Sequence, residues 1–288
     1  MSATTQALKP VLVVGAGTMG NGIAQTFATA GHPVLLLEAN EAALKRGLGV
    51  IEKSLAKFVE KGKLDAAKRD ETLARIATRE SDFPMSECAI AVEAVPERFE
   101  VKRAVFEMLD QKLPADAILA TNTSSISVTQ IAAVTKRPSR FVGMHFMNPV
   151  PLMPLVEVVR GLETSDATTA ETVDLSKALG KTPVVVQDRP GFVSNRVLLP
   201  MINEAAFALL EGVADRDAID TVMKLGMNHP MGPLALADLI GIDVCLDIMN
   251  VLHEGFGDSK YRPCPLLKSM VAAGRLGRKS GRGFYEYA

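Results

Sequence analysis

Val11-Leu-Val-Val-Gly15-Ala-Gly17-Thr18-Met19-Gly20-Asn-Gly-Ile-Ala-Gln25 is the stretch that decides the fold. A short apolar run, the length of a buried strand, meets a GxGxxG and then a helix-like segment. Gly15 permits a tight turn, Gly17 lets the backbone approach a pyrophosphate, and Gly20 allows helix and strand to pack closely. The first amides of the helix, at Thr18 and Met19, have no partner within it and can face phosphate oxygens. A second apolar run, Pro33-Val-Leu-Leu-Leu37, ends at Glu38, eighteen residues past Gly20. A carboxylate there accepts hydrogen bonds from ribose hydroxyls and repels a 2'-phosphate, so NAD is expected rather than NADP. The competing reading, a glycine-rich turn with no ligand, leaves strand, glycines, helix, second strand and acid together unexplained.

Outward from this stretch, strands and helices alternate to about residue 188. Runs at Ile90 to Val95, Ala117 to Thr121, Phe141 to Phe146, Leu155 to Val159 and Pro183 to Val186 extend the sheet begun at Val11. The expected fold class is α/β, a Rossmann-type doubly wound sheet, followed by an all-α C-terminal domain. The turn Asp188-Arg-Pro-Gly191 divides the chain into a NAD-binding domain, 1–189, and a helical substrate and dimerisation domain, 190–288, with helices at roughly 191–212, 216–225, 233–254 and 264–273. The stretch Val193 to Leu210 is apolar on most of its circumference, more than one core-facing stripe requires, which points to a homodimer interface. A central helix buried inside a monomer is the alternative. Between the second and third strands, Glu41 to Ser81 reads as a helical hairpin around Lys61-Gly62-Lys63. Lys53, Lys57 and Lys61 share one helical face, opposite Ile51, Leu55, Phe58 and Val59. Such a stripe can receive phosphates, or it is a solvated face balanced by Glu52 and Glu60.

The 288 residues carry a formal net charge of -1, which offers no electrostatic case for nucleic acid. No apolar run approaches the roughly 20 residues that span a bilayer, so no membrane partner is expected. Cys88, Cys245 and Cys264 are an odd number without CxxC spacing, which suggests neither a disulfide framework nor a metal site and fits a reducing, cytoplasmic home. The first nine residues are polar and lack the order of a signal peptide, so no export is expected.

A second informative stretch is Gly143-Met-His-Phe-Met-Asn-Pro-Val-Pro-Leu-Met-Pro-Leu-Val-Glu157. It reads as strand, a turn at Asn148-Pro149-Val150-Pro151, and strand, which sets Glu157 opposite His145. A carboxylate so placed fixes the imidazole tautomer and stabilises its protonated form, as a general base requires. A core histidine beside a surface Glu is the plainer alternative.

Taken together these residues resemble the NAD-dependent L-3-hydroxyacyl-CoA dehydrogenases, and within that family the short bacterial members acting on 3-hydroxybutyryl-CoA. The resemblance runs over nearly the whole chain, through Gly15 to Gly20, Glu93-Ala-Val-Pro-Glu97, Asn122-Thr-Ser-Ser125, His145-Phe-Met-Asn-Pro149, Leu155-Val-Glu157, Gly191-Phe-Val-Ser-Asn-Arg196, Gly232 to Asp238 and Gly277 to Phe284. It implies His145 as catalytic base with Glu157 as its orienting partner, and Ser124 and Asn195 as contacts of the reacting oxygen. It also implies cofactor contacts at Glu38, Glu97, Lys102 and Asn122, and a coenzyme A handle held by Ser54, Lys57 and Lys61. Val95 and Thr121 close strands whose carboxyl ends open onto the cofactor crevice, so Val95 joins the cofactor set. Plainer readings stand beside three of these: Asn122 as a turn former, Ser124 as a helix cap before Ile126, and Asn195 as a tie between two helices. The expected reaction is hydride transfer between an L-3-hydroxyacyl-CoA and its 3-ketoacyl-CoA. Two departures are noted: Glu38 stands where Asp is more usual, and Pro154 where a basic residue often precedes Leu-Val-Glu. The alternatives are a dehydrogenase of a free hydroxy acid such as a sugar acid, one of a 3-hydroxyadipyl-type thioester, and a non-catalytic NAD-binding protein.

Overall fold

The computed structural model describes residues 8–78 and 84–287. The first seven residues of the polar N-terminal segment, and Ser81 as the end of the hairpin, lie outside them. The chain falls into two compact units, one up to Asp188 and one from Arg189 on.

The first unit is built on an eight-stranded sheet of order β3-β2-β1-β4-β5-β6-β7-β8. Its elements are β1 (Val11–Val14), α1 (Thr18–Thr29), β2 (Val34–Leu37), α2 (Glu41–Glu60), α3 (Ala66–Ala74), β3 (Ile76–Ala77), β4 (Ile90–Glu93), α4 (Phe99–Lys112), β5 (Ile118–Thr121), α5 (Val128–Ala132), β6 (Phe141–Phe146), β7 (Leu155–Arg160), α6 (Asp166–Ala178) and β8 (Thr182–Gln187). The central strands are wholly buried, which is why they read as unbroken apolar runs rather than as alternation. Pairing is parallel except between β6 and β7, which run antiparallel. Ile23, Ala24, Phe27 and Ala28 of α1 pack on β1 and β2 in one core, with Ile51 and Leu55 of α2 joining it.

Some boundaries differ from the sequence reading. The hairpin is α2 and α3 and ends at Ala74, because Ile76 and Ala77 leave it to pair in parallel with Val34 and Leu35. Two residues are too few to show a strand period. Asn40 caps α2, its Oδ1 accepting from the Ala43 amide at 3.0 Å.

The second unit contains α7 (Ser194–Leu210), α8 (Arg216–Thr221), α9 (Pro233–Ile240), α10 (Ile242–Phe256) and α11 (Pro265–Ala272). The single helix expected at 233–254 is two helices broken at Gly241, whose φ of +108° is open to glycine and strained for other residues. A π-turn at Val222–Gly226 extends α8. The core of this unit gathers Leu199, Ile202 and Ala206 of α7 with Leu234, Met249, Leu252 and Leu267.

Candidate active site

The glycine turn follows β1. Gly15 has φ +102°, and a Cβ there would lie 2.6 Å from the Ala94 carbonyl oxygen. A Cβ on Gly20 would fall 1.8 Å from the Gly15 oxygen, so these two positions exclude side chains. At Gly17 a Cβ would meet nothing within 4 Å, and no side chain caps the start of α1. The space beside Gly17 is therefore open, and no side-chain cap takes up the first amides of the helix. Glu38 lies at the tip of β2, its Oε2 accepting from the Ala16 amide at 3.0 Å and its Oε1 from the Asn40 amide at 3.1 Å. A carboxylate has about four acceptor sites, so the two bonds fix Glu38 and leave room for ribose hydroxyls. Amide donors, an open cradle and an acid at the second strand fit a dinucleotide.

Beyond β4 and β5 the chain builds a charged cluster. Lys102, in the opening turn of α4, is 1% exposed and donates to Glu93 Oε1 at 2.7 Å, with Glu97 Oε2 at 3.1 Å and the Val95 carbonyl at 3.5 Å. Glu93, at the end of β4, also accepts from the Val95 amide and the Thr121 hydroxyl, both at 2.7 Å. Glu97 Oε1 accepts from the Thr123 hydroxyl (2.5 Å), the Ser124 amide (3.0 Å), and the Ser125 amide (3.0 Å) and hydroxyl (2.9 Å). Burial pushes the Glu97 carboxyl up, but the Lys102 charge and the hydrogen bonds from Thr123, Ser125 and Lys102 outweigh it and hold the group below its ordinary value. The bonds that join Glu93 to Lys102 and Thr121 escaped the sequence reading. The available signal was Lys102 itself, a cation in the first turn of a helix, where the dipole disfavours it unless a carboxylate is near.

Ser124 does not cap the next helix. Ser127 does so, accepting from the Gln130 amide at 3.1 Å, while its hydroxyl donates to Asp188 Oδ2 at 2.7 Å. Asn122 joins the ends of β5 and β6, its Oδ1 accepting from the Phe146 amide at 2.9 Å.

His145 and Glu157 are register partners in the antiparallel β6–β7 pair. Their side chains meet at 2.8 Å between Nδ1 and Oε2, with the imidazole 10% and the carboxylate 3% exposed. The plainer reading, with the Glu on the surface, does not describe this pair. The connection between the two strands carries Pro149, Pro151 and Leu152, which help line a cleft of about 360 Å³ against the hairpin. Ser54, Lys57 and Lys61 line it too, with Lys53 and Lys63 beside them, so its charged lining residues are all lysines. The first unit thus brings together the lysine face and the loop that follows His145. Asn195 belongs to the second unit, in the first turn of α7, its amide donating to the Gly191 oxygen at 3.1 Å.

The sequence models of the 3-hydroxyacyl-CoA dehydrogenase NAD binding domain and C-terminal domain match residues 10–189 and 191–287. The chain belongs to the 3-hydroxyacyl-CoA dehydrogenase family. It is an NAD-dependent oxidoreductase of that family. A probable 3-hydroxybutyryl-CoA dehydrogenase of Bacillus subtilis (strain 168) is 56% identical over 280 residues, which cover 97% of this chain and 98% of the relative. The 3-hydroxybutyryl-CoA dehydrogenase of Bradyrhizobium diazoefficiens is 52% identical over 280 residues, covering 97% and 96%. The crystal structure of (S)-3-hydroxybutyryl-CoA dehydrogenase from Ralstonia eutropha superposes with a TM-score of 0.94 at 50% identity, covering 98% of this chain and 99% of that one. Among the described residues no helix is long and apolar enough to cross a membrane.

Proposed function

We propose that this family member interconverts a short-chain L-3-hydroxyacyl-CoA, 3-hydroxybutyryl-CoA first among them, with the corresponding 3-ketoacyl-CoA. The names of the relatives at 50–56% identity support the substrate. The observation that carries the mechanism is the 2.8 Å contact of His145 Nδ1 with Glu157. With Nδ1–H donated to the carboxylate, Nε2 is left as the proton acceptor, and the imidazolium formed on accepting a proton is stabilised by the adjacent charge. NAD held by the Gly15–Gly20 turn and Glu38 would supply the hydride acceptor for C3 of the substrate, or the donor in the reverse direction. His145 removes the hydroxyl proton in the oxidative direction and supplies it in the reverse one. Ser124 steadies the oxygen as its charge changes, and Asn195, from the opening turn of α7, is assigned the same task on family likeness.

Gly15, Gly17, Thr18, Met19, Gly20, Glu38, Val95, Glu97 and Asn122 are assigned to the cofactor; Lys102, which the resemblance implies as a further contact, is 1% exposed with its ammonium held by Glu93 and Glu97, so it bears on the cofactor only through Glu97. Ser54, Lys57 and Lys61 are assigned to the phosphates of the coenzyme A handle, for which the all-lysine charge of their cleft is the support. Homodimerisation through the second unit is part of this reading, supported by Val193 just before α7 and Val197 and Leu210 on it, each about half exposed or more. A cytoplasmic location belongs to it as well. The test is NADH oxidation with acetoacetyl-CoA beside free acetoacetate and NADPH. Rapid turnover of the thioester with NADH alone is expected. Turnover of the free acid at a matching rate overturns the coenzyme A assignment.

A further inference from the structure

Lys102 is an unfavourable choice for its position. Phe99 begins α4, so Lys102 stands in its first turn, at the positive end of the helix dipole. The side chain is nonetheless buried, and its three ammonium donors are all taken up, by Glu93, Glu97 and the Val95 carbonyl. Replacing such a set by apolar side chains of similar volume is often neutral or stabilising, so packing alone does not account for it. What distinguishes the set is that its two ends differ. At the inner end Glu93 ties β4 to β5 through Thr121 and holds the Lys102 ammonium against the sheet. At the outer end the same ammonium faces Glu97, a partly exposed carboxylate that gathers the Thr123 hydroxyl and the Ser124 and Ser125 amides on one oxygen. Without Lys102, one oxygen of Glu97 loses its cation and the carboxylate is free to turn toward water.

We infer that Glu93, Lys102 and Glu97 form a relay that positions the turn bearing Ser124, with Glu93 and Lys102 acting through Glu97 as positioning residues. Its effect on turnover rests on the proposed role of Ser124, whereas its effect on the turn does not. Hydrogen exchange of the Ser124 and Ser125 amides in the full chain therefore reads the relay directly, and steady-state reduction of acetoacetyl-CoA reads its consequence. The variant is Lys102→Met rather than one at Thr121, since Thr121 also takes the Thr123 amide at 3.2 Å and so touches the turn directly. Should Lys102→Met fail to fold for want of a partner for Glu93, the double variant Glu93→Gln with Lys102→Met leaves the buried pair uncharged. In Lys102→Met or the double variant, exchange at both amides is expected to quicken about tenfold or more while the amides of β1 keep their protection. Turnover is expected to fall about tenfold with little change in KM for the thioester. Unchanged exchange at Ser124 and Ser125, or equal quickening in β1, overturns the relay and reduces the three residues to core packing. Quickened exchange with undiminished turnover upholds the relay and removes Ser124 from the reacting oxygen.

Discussion

The two units bury acids for different purposes. In the first, Glu93 and Glu157 sit at or near strand ends and take basic side chains, Lys102 and His145, as partners. In the second, Asp220 and Asp238 take backbone amides. Asp220 accepts from Leu234 and Ala235 at the start of α9, and Asp238 accepts from Phe284 and Tyr285 near the end of the chain. Tyr285 and Tyr287 add their hydroxyls at 3.0 Å to Asp220 and Asp238. Burial, seconded by these carboxylates, pushes both phenols up, which keeps them as donors. A buried carboxylate is satisfied by donors of either kind, but of these four acids only Glu157 has a partner, His145, whose proton moves in the proposed reaction. Backbone amides provide anchorage.

The sharpest way to break that contrast is to remove the titratable partner. His145→Gln is expected to lower turnover by about 10²–10⁴-fold while NADH binding, followed by fluorescence titration, stays intact. Glu157→Gln is expected to fall between wild type and His145→Gln, since it keeps an acceptor for Nδ1 and loses the charge. Loss in Glu157→Gln as deep as in Glu157→Ala would mean that the charge, not the orientation, is what His145 needs.

On the other side, Asp238→Ala strands the Phe284 and Tyr285 amides. Urea denaturation should show a loss of about 3 kcal/mol. Asp238→Asn, which retains one acceptor oxygen, should lose less. A stability unchanged in Asp238→Ala would mean that the chain end is not held by these bonds.

The lysine cleft tests whether charge that faces solvent acts on binding rather than on chemistry. Lys57→Glu and Lys61→Glu are each expected to raise KM for acetoacetyl-CoA roughly tenfold with kcat nearly unchanged. Equal KM for wild type and variants would favour a free hydroxy acid as substrate.

The smallest effect is that of Glu97 on acid stability. Its carboxyl is held below its ordinary value in the folded state, so it contributes stability above the unfolded-state pKa of roughly 4.3 and loses it as pH falls through the folded-state value. Denaturation midpoints from pH 5 to 3 should decline less steeply in Glu97→Gln than in wild type. Parallel declines would contradict the direction of that shift.

Much of the first unit was legible because its signals are local. Unbroken apolar runs mark strands buried on both faces, and the glycines at 15 and 20 answer to contacts that any side chain would violate. The His145–Glu157 pairing was legible for the same reason, since one turn sets the register of both strands. The Glu93–Lys102–Thr121 cluster was not, because it joins two strands and a helix across 28 residues and leaves no period in the chain. The break at Gly241 was masked by apolar residues on both sides that keep the helical spacing going. The two-residue β3 owes its existence to β2 beside it rather than to its own residues.

The antiparallel turn of β7 has a consequence for how the chain finds its way to this structure. Parallel neighbours such as β1 and β2 meet only after a crossover helix has closed the distance from Val11 to Val34. His145 and Glu157 are 12 residues apart and share a hairpin. Non-local strand pairs bear their loop-closure entropy before their contacts repay it, and a short hairpin bears least. The acid–base pair thus belongs to the part of the sheet with the lowest contact order, and its geometry is a property of one hairpin, while the cofactor crevice has to wait for the assembly of the strands around it.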